Sequence, residues 1–410
     1  MKLTEFKNKK ILVAGMGIEG AATVRFLKRY VPQATIGSTD QKDGPEYLTN
    51  QKDYDLVIKS PGIQKSLIHI PYTTATNIFF ANTRSMVIGV TGTKGKSTTS
   101  SLIYAILNTA KTHVHLCGNI GKPLLDELQV NDDKRDIYVV ELSSYQLDDI
   151  RFSPHIAVFI NIFPEHMNYH GSTQNYLAAK KHIIQFSTPR DYFVYNPAFP
   201  ELVQMARDTQ AGAIPFVSNL PFSDEDIPLI GAHNRDNVRA AVTVGRLLDV
   251  PADKMRSAVR NFTPLPHRLQ NIGMYKGITF YDDAISTTPE STIVALQSLK
   301  PIGTLLVGGL DRGYEFHRLA MEIIRQGVTN VIYFPDTGSK IASLIKEVSS
   351  AVKLFPANSM ERAVQLSFRH TPQGRICLLS CASPSYSLWK NFEEKGDLFQ
   401  KFVRLYGTKS

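Results

Sequence analysis

The chain has 410 residues, of which 43% are hydrophobic, and its formal net charge is +9. This composition excludes a disordered or fibrous protein, and the length predicts two or three globular domains rather than one. The basic residues are scattered without a basic run, which favours a mildly basic surface over a nucleic-acid-binding arm, although the charge would also suit nucleotides.

The first predicted strand, residues 11–14, leads into glycines with the spacing of a dinucleotide-binding turn. Gly15, Gly17 and Gly20 form the pattern G-x-G-x-x-G, and an apolar helical pattern follows them. Asp40 stands about 20 residues further on, where such folds place a ribose-binding acid. Alone, this pattern favours an NAD-dependent dehydrogenase. Because a second phosphate loop follows and no residues for hydride transfer separate the two, a Rossmann-like module for another nucleotide is the more economical interpretation.

A proline-glycine turn follows the next predicted strand, at residues 56–58. It consists of Ser60, Pro61 and Gly62. Such a turn can approach a phosphate, although a purely structural turn is the more common meaning of this sequence.

The most specific motif is the segment 89–98, Gly-Val-Thr-Gly-Thr-Lys-Gly-Lys-Ser-Thr. It lies between a predicted buried strand at 86–90 and a helical pattern of apolar residues. Glycines let the backbone approach a triphosphate, Lys96 neutralises phosphate charge, and Ser97 can bind Mg²⁺. The strict pattern would place a glycine at Val90, so this loop is a shifted form, and a plain glycine-rich turn is the alternative. The predicted ATP contacts here are Gly92, Thr93, Lys94, Gly95, Lys96, Ser97 and Thr98.

Two further predicted strands end near residues that could bind a metal. Glu141 ends the strand at 137–142, and the carboxyl end of a parallel strand is where an open α/β sheet holds a metal-nucleotide. His166 follows the apolar strand at 156–162 and could bind the same metal. Taken alone, Glu141 is equally well a solvated acid, and Lys180, on a predicted helix, is a solvated charge. Asn119 lies in what its spacing predicts only as a turn.

The second half of the chain continues the α/β pattern. Residues 191–228 contain five prolines and predict a short strand pair plus loops. The proline-marked segment 262–268 predicts a hinge and a domain boundary. Beyond it, strands at 304–307, 328–334, 352–355 and 374–380 alternate with helical segments, which predicts a small doubly wound α/β unit.

The shifted phosphate loop resembles that of the Mur ligases, ATP-dependent enzymes that build the peptide stem of bacterial peptidoglycan. The resemblance extends in order along essentially the whole chain, and it is nearest to the glutamate-adding members. Its other motifs are Gly-Asn-Ile-Gly at 118–121, Glu-Leu-Ser-Ser-Tyr-Gln-Leu at 141–147, Gly-Ala-His-Asn-Arg-Asp-Asn at 231–237 and Leu-Pro-His-Arg at 265–268. Departures from the family pattern are Tyr145 for Phe, Glu165 and Asn168 for Asp, and Ile285 for Lys.

This resemblance implies roles for individual residues. Two Mg²⁺ ions would be held by Ser97, Glu141, His166 and Lys180, with Lys180 carbamylated by CO₂, and Lys96, Glu141, His166 and Lys180 would form the catalytic set. Asn234, Asn237, Arg268 and Asp283 would join the phosphate loop in binding ATP. The uridine-linked substrate would be bound by Gly15, Gly17, Asp40, Ser60, Pro61, Gly62 and Asn119. The amino acid would be bound by Thr287, Arg312, Ser385, Tyr386 and Phe392, with Arg312 on the glutamate side-chain carboxylate.

The predicted fold class is α/β with three domains. Residues 1–83 would form a Rossmann-like domain for the uridine nucleotide, residues 84–264 a central P-loop ATPase domain with a mostly parallel sheet, and residues 265–410 a C-terminal Rossmann-like α/β domain for the amino acid.

The implied reaction is an ATP-dependent amide-bond ligation. ATP would phosphorylate the terminal carboxylate of UDP-N-acetylmuramoyl-L-alanine, and the amine of D-glutamate would attack the acyl phosphate. L-Glutamate is the alternative amino acid. A folylpolyglutamate synthase is a less favoured relative, because such an enzyme has no reason to carry the N-terminal nucleotide module.

The remaining expectations concern location and partners. Cys117, Cys377 and Cys381 show no metal-ligand spacing and leave an odd cysteine, which favours the reducing cytoplasm over a disulfide framework. No apolar stretch reaches membrane-spanning length or resembles a signal peptide. We therefore expect a cytoplasmic monomer that acts on small molecules and binds neither nucleic acid nor membrane. A non-catalytic nucleotide-binding or nucleic-acid-binding protein is the rival from another class.

Overall fold

The computed structural model describes residues 1–130, 135–163 and 167–408. Within them the chain forms two compact units. The first consists of Met1–Ile227 and Arg235–Phe262, and the second of Pro228–Asn234 and Thr263–Ser410. None of the helices in these ranges combines the length and the hydropathy that spanning a bilayer requires.

The first unit begins with a four-stranded parallel sheet. Its strands lie in the order β2-β1-β3-β4, and the central strand β1 pairs in parallel with β2 and β3. Residues 11–14 of β1 are buried, as expected for the inner strand of a parallel sheet covered on its faces. The elements are β1 (Lys10–Ala14), α1 (Ile18–Tyr30), β2 (Thr35–Thr39), β3 (Leu56–Lys59), β4 (Tyr72–Thr73) and α2 (Ala75–Asn82).

A second parallel sheet of six strands forms the rest of the first unit. Its strand order is β10-β9-β8-β5-β7-β6. The elements are β5 (Met86–Thr91), α3 (Lys96–Asn108), β6 (Val114–Gly118), α4 (Leu124–Glu127), β7 (Ile137–Glu141), α5 (Ser144–Leu147), β8 (Ile156–Phe159), α6 (Met167–His170), α7 (Thr173–Gln185), β9 (Tyr192–Tyr195), α8 (Pro200–Asp208), β10 (Gly212–Pro215), α9 (Ala232–Leu247) and α10 (Ala252–Arg260).

Strand β5 is the point at which the order of the second sheet reverses. The chain first adds β7 and β6 on one side of β5 and then adds β8, β9 and β10 on the other. Ligands of open α/β sheets bind outside the carboxyl ends of the strands at such a switch point. The predicted phosphate loop follows β5, and Glu141 ends the adjacent β7, so both lie at this edge.

The two sheets of the first unit share one hydrophobic core. It contains Ile11 and Phe79 from the first sheet region and Tyr138 and Phe159 from the second. The rings of Phe79 and Tyr138 meet edge to face, with centroids 5.1 Å apart. The predicted boundary at residue 83 therefore crosses a packed interface, whereas the one at residue 264 lies close to Thr263, where the second unit resumes. The division into three domains stays a prediction.

A buried ion pair also joins the two sheets. Lys59, at the end of β3, pairs with Asp149 at 2.5 Å, and the two side chains are 0% and 3% exposed. The Tyr72 hydroxyl donates to the same carboxylate at 2.8 Å, and the Asn77 amide donates to the Asp149 carbonyl at 2.8 Å. Charges removed from water in this way require such partners, so this network fixes the first sheet against the second.

The prediction for residues 191–228 was incomplete. Strands β9 and β10 confirm the predicted strand pair, but a nine-residue helix, α8, separates them. Pro200 occupies its first turn, where a proline costs no hydrogen bond, and Leu202 and Met205 are buried. The high proline content therefore masked a helix that begins at a proline.

The second unit contains a third sheet, with strand order β11-β12-β16-β13-β14-β15. All its pairings are parallel except that of β11 with β12. The sequence did not predict β11, a half-exposed edge strand. The elements are β11 (Gln270–Tyr275), β12 (Ile278–Asp282), α11 (Pro289–Ser298), β13 (Ile302–Gly309), α12 (His317–Arg325), β14 (Asn330–Asp336), α13 (Thr337–Val348), β15 (Lys353–Pro356), α14 (Met360–His370), β16 (Ile376–Leu379) and α15 (Phe392–Thr408). The α/β class with largely parallel sheets is confirmed.

Candidate active site

A cavity of about 400 Å³ in the first unit brings together residues from both of its sheets. Five of the residues predicted to bind ligands line it, and six others do so as well. The predicted residues are Pro61, Gly62, Lys96, Asn119 and Lys180, and the others are Glu19, Ser143, Ser144, Tyr145, Gln146 and Tyr176. The phosphate loop and the Ser60 to Gly62 turn, far apart in sequence, thus face one space.

The phosphate loop turns into α3 at Gly95, whose φ of +83° favours glycine. A Cβ atom at this position would collide with the side-chain amide of Asn237. The Asn237 oxygen also accepts a hydrogen bond from the Thr99 hydroxyl at 3.1 Å. Asn237, a predicted ATP contact, therefore lies directly against the loop.

Asn161, which was not predicted as a site residue, holds the loop from the adjacent strand. Its side-chain oxygen accepts hydrogen bonds from the backbone amides of Thr93 and Lys94 at 3.0 and 2.9 Å, and its amide donates to the Lys94 carbonyl at 3.0 Å. The Tyr176 hydroxyl donates to the Thr93 hydroxyl at 3.1 Å. A polar residue directly after a buried strand was the available signal for Asn161.

Two lysine ammonium groups converge on the loop. Lys96 donates to the carbonyls of Gly92 and Thr93 at 3.1 and 2.9 Å. Lys180, on α7 and 1% exposed, donates to the same Gly92 carbonyl at 2.8 Å and to the Thr91 hydroxyl at 3.2 Å. Because a low dielectric strengthens such fields, the charge of Lys96 favours an anionic ligand at the loop, and so does that of Lys180 while its amine is unmodified.

Glu141 is buried with one carboxylate oxygen unsatisfied. Its side chain is 1% exposed, and one oxygen accepts a hydrogen bond from the Asn119 amide at 3.1 Å. The other oxygen has no hydrogen-bond partner among the described residues. Burying such an oxygen costs free energy that a bound cation would offset.

The surroundings of Glu141 suit a Mg²⁺ site in which the protein supplies only one or two of the metal ligands. In the described ranges no group of three His, Cys, Asp or Glu residues could hold a metal. Mg²⁺, however, is usually held in nucleotide sites by one or two protein oxygens together with substrate phosphates and water. The unsatisfied oxygen of Glu141 meets that requirement, and Ser97, half-buried in the first turn of α3, stays a predicted second ligand. His166, the remaining predicted ligand, lies outside the described residues.

The predicted substrate residues of the first sheet lie together at the carboxyl ends of β1, β2 and β3. Gly15, with a φ of +89°, accepts a hydrogen bond from the Ser60 hydroxyl at 2.8 Å, and a Cβ atom at Gly15 would collide with Ser60. The amide of Met16 donates to Asp40 at 2.6 Å, and this bond holds the pKa of Asp40 below its usual value. Gly17 precedes α1 as its N-cap residue.

In the second unit, the segment just before Arg312 contacts the segment just before Ser385. The Leu310 amide donates to the Pro384 carbonyl at 2.9 Å. Arg312 is exposed, and its guanidinium lies 5.9 Å from the ring centroid of Tyr386. Ser385 is 2% exposed, and its hydroxyl has no hydrogen-bond partner within the described part of the chain. Thr287, another residue of the predicted amino-acid-binding set, is half-buried.

The other predicted residues of the second unit lie near a buried histidine. His267 contacts the edge of the Phe392 ring at 6.1 Å between centroids. Asp283 is buried and accepts hydrogen bonds from the Leu269 amide at 3.2 Å and the Ser380 hydroxyl at 2.8 Å. Burial raises the pKa of Asp283 to about 6. Both Asp283 oxygens thus have protein donors, and its role in binding ATP stays a prediction.

The last two predicted ATP contacts also fall within this unit, which includes the first three residues of α9, whereas the rest of that helix belongs to the first unit. Arg268 is half-buried and follows His267 directly. Asn234 is buried and donates to the Ile230 carbonyl at 2.7 Å. Their contacts with ATP stay predictions.

The chain is similar to known proteins along nearly its whole length. A family model described as the Mur ligase middle domain matches residues 90–245. A UDP-N-acetylmuramoylalanine--D-glutamate ligase of Streptococcus agalactiae is 33% identical, with 97% of each chain covered. The ligase of the same name from Lacticaseibacillus paracasei is 31% identical, with 98% of this chain and 97% of its own covered. The solved structure of a MurF ligase from Thermotoga maritima in complex with ADP, 17% identical, has the same fold, with a TM-score of 0.64 over 98% of this chain and 97% of its own.

Proposed function

This chain belongs to the Mur ligase family, and we propose that it uses ATP to join D-glutamate to UDP-N-acetylmuramoyl-L-alanine. The observation that carries the proposal is the cavity of the first unit, where Lys96 and Lys180 face the Pro61–Gly62 turn. A phosphate loop and a candidate uridine-nucleotide turn on one cavity suit a transfer of phosphate from ATP to a nucleotide-linked carboxylate. The names of the relatives support D-glutamate as the amino acid.

The chemistry of such a ligation is dominated by the approach of anions. ATP, the substrate carboxylate and the carboxylates of glutamate must meet, and fixed positive charges lower the cost of that approach. Lys96 would neutralise the transferred phosphate. The Thr93 and Lys94 amides already donate to Asn161 and thereby fix the shape of the loop, so the phosphate chain would be bound by the backbone amides at the start of α3.

Ser97 and Glu141 would hold Mg²⁺ with His166, and Lys180, as a carbamate, would hold a second ion. When bound, Mg²⁺ would polarise phosphoryl oxygens and offset developing negative charge. The unsatisfied oxygen of Glu141 supports the first of these sites.

The remaining predicted residues would bind the uridine-linked substrate or the amino acid. Gly15, Gly17, Asp40 and Ser60, together with the Pro61–Gly62 turn and Asn119, would bind the uridine-linked substrate. Arg312 would bind the glutamate side-chain carboxylate, with Thr287, Ser385, Tyr386 and Phe392 around it. We further propose the three-domain division at residues 83 and 264, and a cytoplasmic monomer that binds neither nucleic acid nor membrane.

The proposal is tested by incubating the protein with ATP, Mg²⁺, UDP-N-acetylmuramoyl-L-alanine and one amino acid at a time, followed by mass spectrometry. We expect ADP, phosphate and a product heavier by one glutamate residue, with D-glutamate only. The same product from L-glutamate would favour the alternative amino acid. If ATP-dependent product forms only with an amino acid other than glutamate, the assignment of the amino-acid substrate is wrong. If ATP is not turned over under any condition, the assignment of ligase activity is wrong.

A further inference from the structure

Glu19 lines the cavity but has no role in the function proposed above. It lies in the first turn of α1, two residues beyond Gly17. One of its carboxylate oxygens has no hydrogen-bond partner among the residues described, and the other is 3.5 Å from the amide nitrogen of Gln146. A poorly satisfied carboxyl on a ligand-sized cavity indicates that a bound molecule completes its hydrogen bonding.

Burial, and not the neighbouring charges, favours the neutral form of Glu19. Burial raises the pKa of Glu19 to about 7, and the hydrogen bond from Gln146 and the charge of Lys59 lower it only in part. The ammonium of Lys59 is already paired with Asp149 and hydrogen-bonded to the Ile63 carbonyl at 3.0 Å. The other charged or titratable groups that line the cavity are Lys96, Tyr145, Tyr176 and Lys180.

The position of Glu19 identifies the ligand group it would meet. The first turn of a helix after a G-x-G-x-x-G turn is where such folds place a pyrophosphate, because backbone amides point outward there. An ionised carboxylate at this point would repel phosphate oxygens, whereas a protonated carboxyl can donate a hydrogen bond to one.

We propose that Glu19 contacts the pyrophosphate of the uridine-linked substrate and, in its protonated form, donates a hydrogen bond to a phosphate oxygen. The inference rests on the proposed function for the identity of the substrate. It makes substrate binding dependent on the protonation of a single carboxyl, so affinity is retained below the pKa of Glu19 and falls as pH rises above it.

The test is direct binding of UDP-N-acetylmuramoyl-L-alanine and of UDP alone, measured by calorimetry from about pH 6 to about pH 9, the range that brackets this ionisation. For the wild-type protein we expect Kd to rise by up to about tenfold per pH unit above the pKa of Glu19. Glu19→Gln, which keeps a neutral donor, should bind tightly with Kd nearly independent of pH. Glu19→Leu, which cannot donate, should bind weakly throughout.

Glu46→Gln is the matched control, because Glu46 is an exposed glutamate of the same sheet region, and it should follow the wild-type profile. A Glu19→Gln variant with the wild-type pH profile, or a Glu19→Leu variant that binds as tightly as wild type, would overturn the inference. So would a folded wild-type protein that binds neither uridine compound. Binding that follows the expected profile without any ligation would support the role of Glu19 and contradict only the proposed reaction.

Discussion

In the first unit the candidate site contains fully buried charged residues, whereas in the second unit the residue proposed to bind glutamate is exposed. Lys180 and Glu141 are each 1% exposed, and Asn161 fixes two amides of the phosphate loop. Arg312, by contrast, contacts solvent and stacks over Tyr386. The phosphate-loop region of the first unit is therefore fixed by its own contacts, whereas the proposed glutamate-binding cation of the second unit lies in solvent against Tyr386.

This difference determines how strongly each region responds to substitution. A charge fixed in a water-poor cavity contributes more to a transition state than an exposed charge, which is screened and loses side-chain entropy on binding. Substitutions in the cavity should therefore reduce ligation more than the loss of Arg312 does.

The largest effect is expected for Lys96→Met, which removes a cation from the phosphate loop. Ligation should fall by at least about 1000-fold while the fold is kept, as judged by circular dichroism and product formation. Lys254→Met, at an exposed position of the same unit, is the control. Near-normal turnover by Lys96→Met would contradict the expectation that the cavity of the first unit contributes more to ligation than Arg312 does.

Lys59→Met should lower the free energy of unfolding by about 3–5 kcal/mol, because it leaves the Asp149 carboxylate buried without its cation. Lys65→Met is the matched control: its partner is Asp148, but the Lys65 side chain is 52% exposed. The control should cost less than about 1 kcal/mol in urea unfolding. Equal losses in the two variants would show that burial does not distinguish these pairs.

Lys180→Ala should lower ligation by about 100-fold or more, since it removes a proposed metal-binding group. If the carbamate proposal is right, short carboxylic acids should restore part of the activity, because they replace the lost carboxylate. Lys181→Ala, at the exposed neighbouring position, should retain wild-type rates. An unmodified amine at Lys180 in an active, metal-loaded protein, seen in the electron density of crystals grown near neutral pH with bicarbonate present, would contradict the carbamate.

The smallest effect is expected for Arg312→Ala. The KM for D-glutamate should rise by about tenfold to 100-fold, because an exposed charge-assisted contact contributes modestly, and the KM for ATP should change little. Arg312→Lys should retain part of the affinity, and Arg318→Ala, also exposed, serves as control. If the KM of Arg312→Ala for D-glutamate equals that of the wild-type protein, Arg312 does not bind the amino acid.

The sequence predicted those parts of the site that depend on local pattern. The phosphate loop was recognisable because glycine, lysine and serine must follow a strand at fixed spacing, and Glu141 because it ends a buried strand. Asn161 was missed because its role depends on the adjacency of β5 and β8, which no local pattern shows. Glu19 was missed because, in the sequence, a helical glutamate that lines a cavity looks the same as one that is exposed to solvent.

Among the elements, long apolar strands such as β5 and β13 were predicted well, because burial on both faces leaves a continuous apolar run. Strand β11 was missed because an edge strand with half-exposed residues lacks such a run. The boundary at residue 83 was inferred from motifs, and motifs do not report that Phe79 packs against Tyr138.

The network around Lys59 also limits how this protein could be recombined with its relatives. A chain cut before β5 would expose the Asp149 carboxylate and the face of Tyr138 that Phe79 covers. A chimaera that exchanges the first sheet must therefore carry matching partners at Lys59, Tyr72 and Asn77, or the recipient will hold an uncompensated charge. The first sheet can therefore be exchanged between relatives only together with the segment around Asp149.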